Sequence, residues 1–236
     1  MSSFLAFVAL AGGFQSYGVQ DIVQTTFRDA RFRVVSVKAN MDALKSINKD
    51  FAASYRFSFM DAVIEEPFKM RLTSTVDDTQ LVYLLIGAKR SYYVPKLKLR
   101  HTEDLTNSPG KRQTTLDFGL LTPSLLRDLF VAKFDRVDRE SGDLVFDLTY
   151  PSPKFDDTSR HRVWVDPSRK FVKKRVWYSQ EGRMLAKFIY EDPEQQNGVW
   201  LPTRCTVFNA ADKLAGVTEY RSIKLNAGVP DAEFKL

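Results

Sequence analysis

Two hydrophobic periods divide the chain. Between Val19 and Glu66 no glycine or proline occurs, and Val23, Phe27, Ala30, Val34, Val37, Met41, Leu44, Ile47 and Phe51 succeed one another at intervals of three or four. That spacing predicts an amphipathic helix from about Gln20 to Phe51. Its middle is weakened by the β-branched cluster around Val34, Val35 and Val37, where a kink or a short strand can form. A coiled-coil seam is the rival reading, but the residues beyond Phe51 are strand-like, which favours a helix laid across a sheet. From Ala53 the period becomes two. Tyr55, Phe57 and Phe59 alternate with Arg56 and Ser58, and Phe68, Met70 and Leu72 alternate with Lys69, Arg71 and Thr73. Both read as antiparallel strands with one wet face.

Further strands are predicted at 80–86, 90–94 and 96–101. Residues 102–119 are polar and show neither period. Thr122-Pro123 then offers a helix start, with an N-cap residue followed by proline at the first helical position. The remaining strands are expected at 132–138, 143–149, 160–165, 171–178, 184–190, 199–209 and 214–225, separated by turn residues such as Ser141-Gly142 and Gln196-Asn197-Gly198. Short strands at even spacing, with no helices between them, imply an antiparallel meander. The predicted fold class is α+β, mainly antiparallel β: one curled sheet covered by the long N-terminal helix and a short lid helix. A twisted sheet of about ten strands tends to curl, and a curled sheet that does not close needs its concave face covered.

Composition adds a reason for the curl. Of 236 residues, 18 are Phe, 9 Tyr and 3 Trp, a 13% aromatic share that suits strands and apolar pockets. The net charge of +6 is spread along alternating segments, as on the wet faces of strands, with contact to anionic lipid as the other reading. The apolar run Phe4–Ala11 is too short to span a bilayer and ends in Ala9-Leu10-Ala11, the small-x-small spacing of a signal-peptidase site. No Lys or Arg precedes it, as truncation by a start codon chosen late would give. Residues 1–18 are therefore read as a signal-peptide-like leader, and 19–236 as one domain. No cysteine comes directly after the run, so the chain is not expected to be lipid-anchored.

Candidate chemistry is thin. Cys205 is the sole cysteine, and His101 and His161 are too few to build a metal site, so no metal or other cofactor is expected. Gly110-Lys111 lacks the upstream glycine and the following hydroxyl of a phosphate loop. Asp117-Phe118-Gly119 copies the magnesium triplet of kinases without the other kinase segments. The acidic pairs Asp77-Asp78 and Asp156-Asp157 sit beside turns, where adjacent strand residues point opposite ways. No catalytic constellation emerges, and the chain is read as a non-enzyme. Cations interleaved with Trp164, Phe171 and Trp177 would suit single-stranded nucleic acid, but the same alternation describes a two-faced strand, and nucleic acid is not the expected partner.

Several segments carry a resemblance. Val163-Trp164-Val165-Asp166-Pro167-Ser168-Arg169-Lys170 runs into 172–178 and then Glu181-Gly182-Arg183-Met184. Tyr220–Asn226 is followed by Val229-Pro230-Asp231-Ala232-Glu233-Phe234, and Tyr92-Tyr93-Val94-Pro95 stands earlier. In order and spacing these resemble the LolA-type outer-membrane lipoprotein-sorting proteins, over roughly Asn40 to Leu236. The resemblance implies an incomplete β-barrel with helices as a lid, carrying the acyl chains of lipoproteins across the periplasm. It implies as partners those acyl chains or free lipid, and a membrane transporter or acceptor lipoprotein. A monomer is expected. Other members of the fold are lipid-sensing regulators associated with a membrane anti-sigma factor, which gives the alternative reading of a regulatory, protein-binding module. One departure stands out. In carriers of this type an arginine before a proline in an early strand latches the lid, whereas here the matching segment is Glu65-Glu66-Pro67-Phe68.

For a carrier, the expected acyl-binding wall is Tyr55, Phe57, Phe59, Phe68, Met70, Leu72, Leu81, Tyr83, Trp164, Phe188 and Tyr190. The expected lid is Leu125, Leu126, Leu129 and Phe130. Exposing an acyl chain to water costs about 0.8 kcal/mol per CH₂, so a soluble carrier must offer an apolar wall that its own side chains leave partly unfilled.

Overall fold

In a computed structural model, which describes residues 16–76, 78–151 and 159–236, the chain forms one antiparallel sheet. Its strands are β1 (Asp29–Ala39), β2 (Phe59–Glu65), β3 (Lys69–Val76), β4 (Thr79–Ile86), β5 (Lys89–Val94), β6 (Leu99–Asp104), β7 (Val131–Val137), β8 (Leu144–Thr149), β9 (Arg160–Val165), β10 (Val172–Tyr178), β11 (Met184–Gln196), β12 (Val199–Asn209) and β13 (Leu214–Leu225). Their spatial order is β6-β5-β4-β3-β2-β1-β13-β12-β11-β10-β9-β8-β7. Every step joins strands consecutive in sequence except β1–β13, which joins the two ends of the sequence, with Ala30 opposite Leu225 and Val34 opposite Tyr220. The sheet curls without closing, and β6 and β7 remain as edges. Both edges carry charge (Arg100 and Glu103; Lys133, Asp135 and Arg136), which discourages pairing with another strand.

The long N-terminal helix does not form. Residues 29–39 are β1, at the middle of the sheet, and only two short helices come after it, α1 (Met41–Ile47) and α2 (Lys49–Ser54). The reason is visible in the residues. Ala30, Phe32 and Val34 alternate at a period of two and are buried, and the β-branched Val34, Val35 and Val37 suit a strand that pairs on both sides. Apolar positions shared by the two periods made the stretch look helical. Asn40 starts α1, its side-chain oxygen accepting from the Ala43 N–H at 3.1 Å, and Asn48 starts α2, accepting from the Asp50 and Phe51 N–H groups. The end of α2 forces a second correction. Tyr55–Ser58 leaves a helix, so Tyr55, Phe57 and Phe59 do not share one strand, and β2 begins only at Phe59.

The segment between the two edge strands does what the missing helix was expected to do. Residues 105–130 cross from β6 to β7 beneath the concave face, burying Leu116, Phe118, Leu120, Leu121, Leu125, Leu129 and Phe130. Asp117-Phe118-Gly119, which only mimics a kinase triplet, is the hinge of this crossing. The Asp117 carboxylate accepts from the Thr114 N–H at 2.9 Å, and the Phe118 ring meets Phe32 edge-on at 5.0 Å between centroids. Gly119 has φ +81° and lies so close to β12 that a Cβ there would come within 2.7 Å of Pro202 Cγ. Backbone bonds Val172 N–H to Gly119 O and Gln24 N–H to Leu121 O fasten the crossing to the sheet and to the N-terminal stretch. The expected lid helix is a brief one, Pro123 and Ser124 leading into a single π turn over Leu125–Leu129.

No helix among the described residues is long and apolar enough to cross a membrane. Residues 1–15 of the expected 1–18 leader, Asp77 and the Asp156-Asp157 pair lie outside the described residues.

Candidate functional site: an apolar cavity under the sheet

The concave face is filled at one end of the strands and open at the other. At the filled end, Ala30, Ile64, Leu85, Val165, Val172, Leu201 and Leu225 pack against Ile22, Val23, Leu120, Leu121 and Leu125 in one core. At the other end lies a cavity of about 770 Å³. Protein interiors contain few voids larger than a water molecule, whereas sites for small molecules run from about 300 to 1,000 Å³. The later half of β1 (Val34), the start of β2 (Met60), the end of β3 (Leu72), the start of β4 (Leu81, Tyr83), the start of β11 (Phe188), β12 (Cys205, Val207) and β13 (Tyr220) form its wall. From below it is bounded by α2 with Tyr55 and Phe57, and by the crossing segment from Gly110 to Phe118. The exposed members of the lining, Asn48, Asp50, Ala53, Arg56 and Lys111, place its mouth between α2 and residues 110–113.

Aromatic rings set much of the shape. Phe51 contacts Tyr55 and Phe188 edge-on at 5.5 and 5.8 Å, and Tyr83 meets Tyr92 at 5.5 Å. Gly216 on β13 is required by Tyr55, because a Cβ there would overlap the tyrosine ring. Burial raises the pKa values of Tyr55 and Tyr83 well above the usual phenol range and pushes the Cys205 thiol up to about 12, so all three are neutral near pH 7.

The expected wall residues divide into three groups. Tyr55, Phe57, Leu72, Leu81, Tyr83 and Phe188 line the cavity. Phe68 and Met70 face the concave side but at the filled end, where with Leu125 they border a recess of about 10 Å³, room for a single water at most. Tyr190 is also on the concave side and is covered, its hydroxyl donating to Leu116 O at 3.0 Å. Phe59 and Trp164 are on the other face. Arg33 stacks on Phe59 at 4.5 Å, and Trp164 packs with Val145 and Val176 under Lys174 while its indole N–H donates to Asp138. The strand pattern itself places them there. Trp164 has the parity of Arg160 and Arg162, and Phe59 that of Asp61 and Glu65.

Of the expected lid, Leu125 and Leu129 are sunk in the core and Leu126 is half-buried, while Phe130 lines the cavity. Glu66, which stands where carriers of this type place their latching arginine, holds this segment: its carboxylate accepts from the hydroxyls of Thr122 (3.0 Å) and Ser124. Those hydroxyls therefore bind strand β2's exit instead of capping their own helix. Burial raises the Glu66 pKa, against the lowering effect of the two hydroxyls.

Residues missed from the sequence are the polar ones inside. Arg175 and His161 are nearly fully buried and line the cavity with Trp177. Arg175 Nη1 donates to Asp117 Oδ1 at 2.8 Å and its guanidinium lies 4.0 Å from the Phe188 ring centre. Burial opposes the Arg175 charge, but Tyr190 and Asp117 more than offset it, and the pKa stays above the ordinary value. Burial first and Arg175 second hold His161 well below the usual imidazole range, so it is neutral. A signal existed: Arg175 shares the parity of the half-buried Trp177, not that of Lys174. The other histidine, His101, is exposed on edge strand β6. Among the described residues no cluster of three or more His, Cys, Asp or Glu is placed to hold a metal ion.

This architecture recurs in solved structures. A domain from Vibrio parahaemolyticus assigned to outer-membrane lipoprotein sorting matches with a TM-score of 0.60 at 13% identity, covering 92% of both chains. A LolA-superfamily protein from Nitrosomonas europaea matches at 0.57 and 15% identity, over 92% of this chain and 94% of that one. The fold is LolA-like. A DUF1329-family protein from Desulfovibrio piger shares the same LolA-like sheet, with a TM-score of 0.54 and 12% identity over 89% and 90% of the two chains. A family model described as "Uncharacterized protein" matches residues 143–236, which span β8 to β13 of the LolA-like sheet. No curated protein matches the chain.

Proposed function

We propose that the protein is a non-enzymatic periplasmic carrier that shelters the acyl chains of a lipoprotein or lipid in this cavity for transfer to the outer membrane. The observation that carries the reading is the 770 Å³ of unfilled, ring-walled space at one end of an otherwise closely packed sheet. The lining from Phe51, Tyr55, Leu72, Leu81 and Phe188 replaces the burial an acyl chain loses on leaving a membrane, at about 0.8 kcal/mol per CH₂. The fold supports it: two matching structures bear names that refer to lipoprotein sorting or to LolA. Glu66 and the hydroxyls of Thr122 and Ser124 would anchor the base of the cover while the mouth between α2 and residues 110–113 admits the chain.

The test is uptake of the neutral probe N-phenyl-1-naphthylamine by the purified protein, together with mass spectrometry of lipid extracted from it. Saturable probe fluorescence, abolished by Leu72→Trp in the cavity wall, is the expected result. A protein that takes up no probe and yields no lipid, yet forms a stoichiometric complex with a membrane-protein segment, would replace the carrier with a regulatory module.

A further inference from the structure

The cavity is apolar in its walls but not in its charge. Five cationic residues among the described ones line it, Arg56, Arg90, Lys111, Arg112 and Arg175, against two carboxylates, Asp50 and Asp117. Two of the cations are committed elsewhere. Arg90 donates through Nε and Nη2 to Glu103 and through Nη1 to Lys111 O, and Arg112 donates through Nε and Nη2 to Leu105 O.

Arg175 is not committed in this way. It is 5% exposed, its one hydrogen bond to Asp117 uses a single oxygen, and its Nε has no partner among the described residues. The second Asp117 oxygen is taken by the Thr114 N–H. Two residues along β10, Trp177 stands opposite His161 of β9, the rings 6.3 Å apart. Trp177 Nε1 and His161 Nδ1 likewise have no partner among the described residues. Arg175, Trp177 and His161 thus line one strip of the wall, and a small side-chain turn there would bring these covered nitrogens to an occupant. Buried polar groups are nearly always satisfied, so donors left over beside a cavity call for a partner, an ordered water or a bound molecule. Neutral His161 can present an N–H at Nδ1, which makes the strip a set of donors around one fixed positive charge.

We propose that the occupant is an amphiphile with an anionic oxygen head, a carboxylate or a phosphate, seated on Arg175, Trp177 and His161, its chain running beneath Phe51, Tyr55 and Leu72. This rests on the acyl-binding reading above and narrows it. A neutral oxygen accepts from Arg175 only as an ordinary hydrogen bond and leaves the positive charge of the lining unbalanced, and a cationic head would meet that excess charge.

Competition against N-phenyl-1-naphthylamine separates the possibilities. Oleate and oleoyl-lysophosphatidate are each expected to displace the probe at a concentration at least about tenfold below that of oleyl alcohol, the discrimination a charge-assisted hydrogen bond supplies. The order of oleate and lysophosphatidate tells which head fits better. Arg175→Gln is expected to bring the acid-to-alcohol ratio towards one. Trp177→Phe, which keeps a ring in the wall, is expected to lower it less and serves if the arginine variant does not fold. Equal competition by acid and alcohol in the wild type, with the probe still entering, would overturn the anionic head and leave acyl binding standing. Displacement by inorganic phosphate alone would make this an ion site and overturn the amphiphile. Failure of the probe to enter would remove the acyl-binding reading and the proposal with it.

Discussion

The two ends of the concave face are built from the same strands, with the same inward parity, and differ in what covers them. At the filled end the crossing segment supplies Leu120, Leu121 and Leu125, and the N-terminal stretch supplies Ile22 and Val23, all aliphatic and fully buried. At the open end the cover is α2 and the 110–118 stretch, which stand back from the sheet and leave rings facing space. Aliphatic side chains from two covering segments can interdigitate to native density. Rings fixed by edge-on contacts and by a glycine gap cannot collapse inward as easily. One sheet thus serves as a stable anchor at one end and a container at the other.

Core truncations should expose this difference most strongly. Leu120→Ala removes a fully buried side chain where nothing can relax into the hole, and a loss of about 3–5 kcal/mol in unfolding free energy is expected. Leu81→Ala, on the cavity wall, should cost less than about 1.5 kcal/mol because the site already borders empty space. Denaturant titrations at constant m-value check both, and equal losses would mean that the cavity is filled in solution. Gly216→Ala is the next smaller effect. The added methyl drives the Tyr55 ring off its seat at a cost of about 1–3 kcal/mol, and the displaced ring should reduce probe uptake.

The smallest effect lies in the titration of Glu66 at the filled end. Its folded pKa is raised by burial, so its contribution to stability is complete below the ordinary carboxylate range and is lost as pH rises through the folded value. As pH rises above the ordinary carboxylate range the wild type should therefore lose thermal stability relative to Glu66→Gln, which has no charge to bury. The opposite slope would show that the hydroxyls of Thr122 and Ser124 outweigh desolvation.

Much of the sheet was legible in the sequence because alternation and turn residues are local. The bounds of β9, β12 and β13 appear in the sequence as they stand in the structure. The first strand was not legible, since positions 30 and 34 satisfy both periods and only pairing with β2 and β13 decides between them. The crossing segment was missed for a related reason. Leu116, Phe118, Leu120 and Leu121 have no regular period because the segment is held by single backbone bonds to distant strands and not by its own ladder. In the site, Leu72 of β3 and the aromatics of β4 and β11 could be placed by parity, which also corrects Trp164. Parity with Trp177 sets Arg175 apart from Lys174, but its partner was not legible, because Asp117 comes from the crossing segment 58 residues away.

Pairing of β1 with β13 has a consequence for how the molecule comes into being. The central ladder joins the first strand to the last, so a growing or threading chain can fold β1 to β6 as hairpins yet holds an unpartnered flank at β1 until its final strand arrives. Assembly is thereby governed by sequence-distant closure, which slows folding and leaves an adhesive margin open in the meantime. Loss of the 12 residues of β13 would strip the middle of the sheet, not its rim, and separate the container into two unjoined leaves.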